Sequence, residues 1–197
     1  MMKVLIDNGH GRNTSGKQSP NGLLKEYAWT RDVAKRLERK LKFLGVDAQR
    51  IVHEDEDIAL SERCTRVNKI CQEVGSGNAI LVSLHINASG YGEWKDASGW
   101  TSWVYTGCSE KSKVLAQSLY AEAEKRHLQG NRSVPQCKYW DANFYLLKHT
   151  ACPAVLTENL FMDNKSDYDY LMSEQGKEII ADLHVDGILA YIEKYDK

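Results

Sequence analysis

The sequence predicts one α/β domain with about six strands, and three observations carry that expectation. Short apolar and period-2 runs alternate with 3.6-period segments along the whole chain, instead of separating into helical and strand halves. The run Ala79-Ile80-Leu81-Val82-Ser83-Leu84 is apolar enough for a central strand covered on both faces. The length of 197 residues, with 42% hydrophobic and 27% charged residues, suits a single core that needs no disulfide or metal staple.

The elements follow in order. Lys3 to Asp7 is a first strand. Leu24, Ala28, Val33, Leu37, Leu41 and Leu44 form the apolar stripe of a long helix stopped by Gly45, after which Val46 to Val52 is the second strand. A helix opens at Ser61, runs through Val67, Ile70 and Val74, and ends at Gly75-Ser76-Gly77. The third strand, Ala79 to Leu84, comes next, then a strand at Trp100 to Tyr105 and a helix at Lys111 to Arg126. Phe144–Leu147 and Ala154–Thr157 fit two more strands, and helices near Ser166–Met172 and Glu174–Tyr195 close the chain.

Composition removes several function classes. Lys+Arg 26 against Asp+Glu 27 gives a formal net charge of -1 and no global attraction to nucleic acid or an anionic membrane. The longest apolar stretches fall far short of the roughly 20 residues that span a bilayer. Asp7 follows the N-terminus too closely for the apolar region of about 7–15 residues in a secretory signal, so the expectation is either a mature exported form or a protein made in the cytosol. Cys64, Cys71, Cys108, Cys137 and Cys152 are odd in number and lack a CxxC pair, so they read mostly as small buried hydrophobes.

Three long polar segments, Gly11 to Gly22, Asn87 to Ser98 and Gly130 to Asn143, exceed mere connections. The last carries Tyr139, Trp140 and Asp141, which suit either a substrate wall or a hydrophobic plug. In open α/β sheets ligands bind beyond the carboxyl ends of strands. Asp7-Asn8-Gly9-His10, Ser83-Leu84-His85 and Thr157-Glu158 leave the first, third and last strands, and Glu26 lies near the start of the long helix. Two imidazoles and a carboxylate, His10, His85 and Glu26, make a zinc triad with an open position for water, which leaves Glu158 as the base. Gly9 and Gly11 let the backbone pass close to a bound group beside His10. Glu158 ends the apolar run Pro153-Ala154-Val155-Leu156, where an unpaired acid is costly. Spacing alone leaves other readings open: a solvated helix carboxylate for Glu26, and a polar network without metal for the set. His53, His127, His149 and His184 read as surface or satisfied core histidines.

These segments resemble the zinc-dependent N-acetylmuramoyl-L-alanine amidases of the amidase-3 family over nearly the whole chain. Val4-Leu5-Ile6-Asp7-Asn8-Gly9-His10-Gly11 is similar to the family's opening strand and first histidine, and Glu26-Tyr27 to its glutamate. Leu60-Ser61-Glu62-Arg63 with Val67-Asn68 resembles its second-helix signature, and Val82-Ser83-Leu84-His85-Ile86-Asn87-Ala88 its second histidine motif. Tyr145-Leu146-Leu147-Lys148 and Cys152-Pro153-Ala154-Val155-Leu156-Thr157-Glu158, followed by Phe161 and Asn164, resemble the segment that ends in its catalytic glutamate. The chain departs from the pattern at Asn8, where the family has proline, and at Arg12 and Leu160, where it has glycine; the last two are expected to border the site.

The resemblance implies a twisted, mostly parallel sheet flanked by helices on both faces, with residues 1–197 forming one catalytic domain and no separate wall-binding domain. It implies one zinc ion (Zn2+) per chain on His10, Glu26 and His85, Glu158 as general base, and hydrolysis of the amide between N-acetylmuramic acid and L-alanine in peptidoglycan. Rivals are a zinc peptidase or deacetylase on the same site, and a non-catalytic wall-binding module. The expected partner is peptidoglycan or a muropeptide, with no nucleic acid and no membrane insertion. The chain is expected to be a monomer, with the need for a protein activator open.

Overall fold

Two interleaved sets of apolar side chains on the strands decide the architecture of the computed structural model, which describes residues 2–195. Val4, Ile6, Ile80, Val82, Leu84 and Val155 belong to one core; Leu5, Ala79, Leu81, Ala154 and Leu156 belong to a second. Alternate residues of a strand point to opposite faces, so strands that are apolar throughout must be covered on both.

The strands are β1 (Lys3–Asn8), β2 (Asp47–Arg50), β3 (Ala79–Asn87), β4 (Thr101–Val104), β5 (Trp140–Asp141) and β6 (Ala154–Phe161). They form one sheet in the order β2-β1-β3-β6-β4-β5, in which β2, β1, β3 and β6 run parallel and β4 pairs antiparallel with β6. The first core packs under α1 (Glu26–Phe43), α3 (Glu110–Lys125), α5 (Lys165–Met172) and α6 (Glu174–Tyr195). The second packs under α2 (Leu60–Val74) and α4 (Tyr145–His149). The mostly parallel, two-faced α/β sheet expected from the sequence is the one observed. No helix among the described residues is long and apolar enough to cross a membrane.

Three expectations are corrected. Phe144–Leu147 is not a strand: Tyr145–His149 is α4, which buries Leu146 and Leu147 while Tyr145 is exposed. The sixth strand is β5, whose two residues pair with Trp103 and Val104. Its Trp140 ring lies 5.9 Å from Trp103 and 5.9 Å from Tyr120, and Tyr139 packs on the same core, so these aromatics plug the fold. The third and last strands also run beyond Leu84 and Thr157, which places His85 and Glu158 within strands. Among the cysteines, Cys64, Cys71 and Cys152 are buried as expected, Cys108 is half-buried, and Cys137 is exposed on its loop.

His184 of α6 is a satisfied core histidine. Its Nδ1 donates to the Ile180 carbonyl at 2.8 Å, and the Thr157 hydroxyl lies 3.0 Å from Nε2. Burial, with a smaller contribution from the charge of Arg126, pushes its pKa down to about 4. A histidine depressed in the folded state leaves the unfolded chain to bind the proton first, so stability is full above about pH 6.5 and declines as pH falls towards 4. Between pH 7 and 4 the wild type is expected to lose on the order of 3 kcal/mol more than His184→Gln in urea denaturation. Parallel stability curves would contradict this.

Candidate active site

Side-chain alternation places Leu5 and Asp7, Leu81, Ser83 and His85, and Ala154, Leu156 and Glu158 on the sheet face covered by α2 and α4. His85 stands opposite Glu158 in the β3–β6 register, so both chemical groups emerge side by side. His10 follows β1, and Glu26 opens α1.

The three expected ligands converge. His85 Nδ1 lies 3.2 Å from His10 Nε2 and 3.2 Å from Glu26 Oε1, and His10 Nε2 is 3.4 Å from that same oxygen. Donors placed about 2.0–2.2 Å from one tetrahedral centre stand roughly 3.3–3.6 Å apart, so this donor set fits a zinc ion. Glu26 Oε2 is buried with no hydrogen-bond partner among the described residues, as a carboxylate oxygen left for a ligand would be. Burial alone would raise the Glu26 pKa, but hydrogen bonding to His10 and His85 outweighs it and holds the carboxyl well below the usual carboxylate range. At His85 burial opposes the charged ring, yet the Glu26 carboxylate raises its pKa on balance. The group therefore favours positive charge at its centre.

Glu158 shares a cavity of 340 Å³ with His10 and His85. Desolvation, reinforced by the charge of Glu26 and opposed by His85, Lys17 and Arg132, pushes its pKa up to about 7. Its Oε2 is buried and makes no hydrogen bond among the described residues. This carboxyl group is poised to take up and release a proton near neutral pH.

Local backbone geometry holds the triad. A Cβ on Gly9 would fall 2.3 Å from His85 Cε1, and one on Gly11 would fall 1.9 Å from the backbone nitrogen of Asp57, so neither position admits a larger residue. His10 itself adopts a left-handed conformation, with φ 60°, that non-glycine residues rarely take. Its carbonyl accepts from Arg31 Nη2 and Arg63 Nη2, both at 3.1 Å, and these contacts offset the strain.

Arg63 also donates to Asp7 Oδ1 at 2.6 Å, the Asn8 carbonyl at 2.8 Å and Asp57 Oδ1 at 3.0 Å, while Ser83 Oγ donates to Asp7 Oδ2 at 2.5 Å. The Asp7 and Arg63 side chains are each 2% exposed. Arg63→Met, which strands a buried carboxylate, is expected to cost about 3–5 kcal/mol in denaturant unfolding. A loss below about 1 kcal/mol would show that the pair does not brace the site.

Residue spacing did not reveal this bracing role of Arg63 and Arg31, nor that of Asn159. Asn159 Nδ2 donates to the His85 carbonyl at 2.8 Å, and its Oδ1 accepts from Trp100 Nε1 at 2.7 Å. The signal for Arg63 was its place in the second-helix signature; Asn159 offered only a polar residue after an apolar run. Arg12 and Leu160 do not border the cavity. Arg12 is an exposed residue paired with Asp55 at 2.7 Å, and Leu160 turns into the core through a left-handed backbone, φ 66°, where the family's glycine would carry no strain.

The class these features define is an open α/β domain that gathers a potential metal-binding His–Glu–His group and a buried carboxyl at its strand ends. Comparison with known proteins makes this specific. The model of the N-acetylmuramoyl-L-alanine amidase family matches residues 4–190, and the chain belongs to this family of peptidoglycan hydrolases. It is 30% identical to N-acetylmuramoyl-L-alanine amidase CwlM of Bacillus licheniformis, over 95% of this chain and 68% of that protein. A sporulation-specific N-acetylmuramoyl-L-alanine amidase of Bacillus subtilis (strain 168) is 27% identical, over 95% and 67%. Among solved structures, an N-acetylmuramoyl-L-alanine amidase from Clostridium difficile 630 superposes with a TM-score of 0.82 at 27% identity, covering 98% of this chain and 97% of that one.

Proposed function

We propose that the chain cleaves the amide between the lactyl group of N-acetylmuramic acid and L-alanine in peptidoglycan, with one zinc ion on His10, Glu26 and His85 and Glu158 as general base. The observation that carries this reading is the convergence of three donor atoms within 3.4 Å of one another, two of them on His10 and His85, which line one cavity with Glu158, whose Oε2 has no partner among the described residues. When bound, zinc supplies a Lewis acid and an activated water at neutral pH.

The chain's own residues do the rest. Glu158 takes a proton from the attacking water at its free Oε2 and later passes one to the departing alanine amine. Glu26 is held by the Ile86 backbone nitrogen, which donates to its Oε1 at 2.9 Å, so the carboxylate keeps its aim. Phe144, Leu146 and Leu156 line the same cavity and restrict water around the reacting groups. Catalysis by this single domain belongs to the same proposal.

The test is mass spectrometry of products from zinc-loaded protein incubated with peptidoglycan. Intact glycan strands and stem peptides with a newly free L-alanine amine are expected. Cleavage at another amide would move the substrate to the peptidase or deacetylase reading.

A further inference from the structure

We propose that Lys17 is a specificity residue that recognises a carboxylate on the peptide side of the scissile amide. The inference rests on the amidase reading above and names which form of the stem peptide the site prefers.

Lys17 and Arg63 are the cations that line the cavity. Arg63 is committed to Asp7 and Asp57, at 2.6 and 3.0 Å, and its side chain is 2% exposed. The ammonium of Lys17 has neither an ion pair nor a hydrogen bond among the described residues. Its main chain is nevertheless fixed. The Lys17 carbonyl accepts from the backbone nitrogen of Glu26 at 3.0 Å, and the next residue, Gln18, bridges to Lys25. The backbone that carries this cation is therefore anchored directly against Glu26, the residue that opens α1.

The surroundings give that charge a task. Ile58, Leu60, Tyr145 and Leu156 supply apolar lining, whereas Glu158 adds negative charge that repels an anionic substrate. Lys17 and Glu158 line the same cavity, which puts the ammonium within the reaction site. A stem peptide continues from the alanine amine as a chain that carries carboxyl groups. A charge-assisted hydrogen bond from Lys17 would seat one of them and draw the peptide half of the substrate to one side of Glu158.

The experiment uses the zinc-loaded protein and two synthetic N-acetylmuramoyl-L-alanyl-D-glutamate substrates. Both have the γ-carboxyl blocked as an amide, and they differ only in whether the α-carboxyl is free or amidated. The wild type is expected to prefer the free carboxylate by about tenfold in kcat/KM, mainly through KM. Lys17→Met should remove the preference, with KM rising about tenfold on the carboxylate substrate and not on the amidated one, while any change in kcat is shared by both. Lys17→Arg should restore most of it, and thermal melts of both variants check folding at this exposed position. Equal use of the two substrates by the wild type would overturn the inference. So would a Lys17→Met variant that keeps the wild-type KM preference and loses only kcat, equally on both, since the charge would then act on Glu158 alone. Failure of the wild type to cleave either substrate would overturn the amidase reading and this inference with it.

Discussion

Glu158→Gln is expected to bind zinc with wild-type stoichiometry and to lose about 10²–10⁴-fold in kcat. The substitution keeps the size of a side chain whose Oε2 is buried without a partner among the described residues, so the strand and the His–Glu–His group should stay in place. What it removes is a carboxyl group whose pKa, pushed up to about 7 mainly by desolvation, suits proton transfer near neutrality. Zinc content by atomic absorption and release of peptide from peptidoglycan check the two halves independently. Turnover within a few-fold of wild type would remove Glu158 from the chemistry, and loss of zinc would make it a ligand.

His85→Ala should lose metal and activity together. His85 Nδ1 lies within 3.2 Å of both other donors, so the truncation leaves one imidazole and one carboxylate, too few for a tight site. Zinc affinity is expected to weaken by more than about 100-fold, the loss that can follow when a group that merely orients a ligand is removed. Activity should fall to that of chelator-treated wild type, and added zinc should restore the latter alone. Titration with a competing chromophoric chelator reads the affinity. Wild-type zinc binding in the variant would contradict the assigned ligand set.

The sequence exposed the alternation of elements because α1 and α2 carry clear apolar stripes and the central strands are apolar on both faces. It failed where segments are short. Phe144-Tyr145-Leu146-Leu147 is too brief for its period to tell a helix from a buried strand, and the structure resolves it by burying Leu146 and Leu147 under the sheet. The two-residue strand β5 has no pattern of its own and forms only because Trp140 finds Trp103 and Tyr120.

At the site, polar residues at the ends of the apolar runs looked like strand exits. His85 and Glu158 instead continue the ladder as partners and Asn87 pairs with Phe161, while Asn159, in the register irregularity between these pairs, ties the two strands by donating to the His85 carbonyl. The chemical groups could be picked out by type and position along the chain, but their bracing could not. That Arg31 and Arg63 both reach the carbonyl of a left-handed His10 depends on how α1 and α2 pack around β1, which no local spacing encodes.

In the proposed arrangement His10, Glu26 and His85 hold zinc while Glu158 stays free for proton transfer. An anomalous difference map, recorded at the zinc edge from crystals of the zinc-loaded protein, reads this arrangement. One strong peak is expected about 2.0–2.2 Å from His10 Nε2, Glu26 and His85 Nδ1, with Glu158 beyond bonding distance. A peak ligated by Glu158, or no peak at this group in a protein that cleaves peptidoglycan, would contradict it.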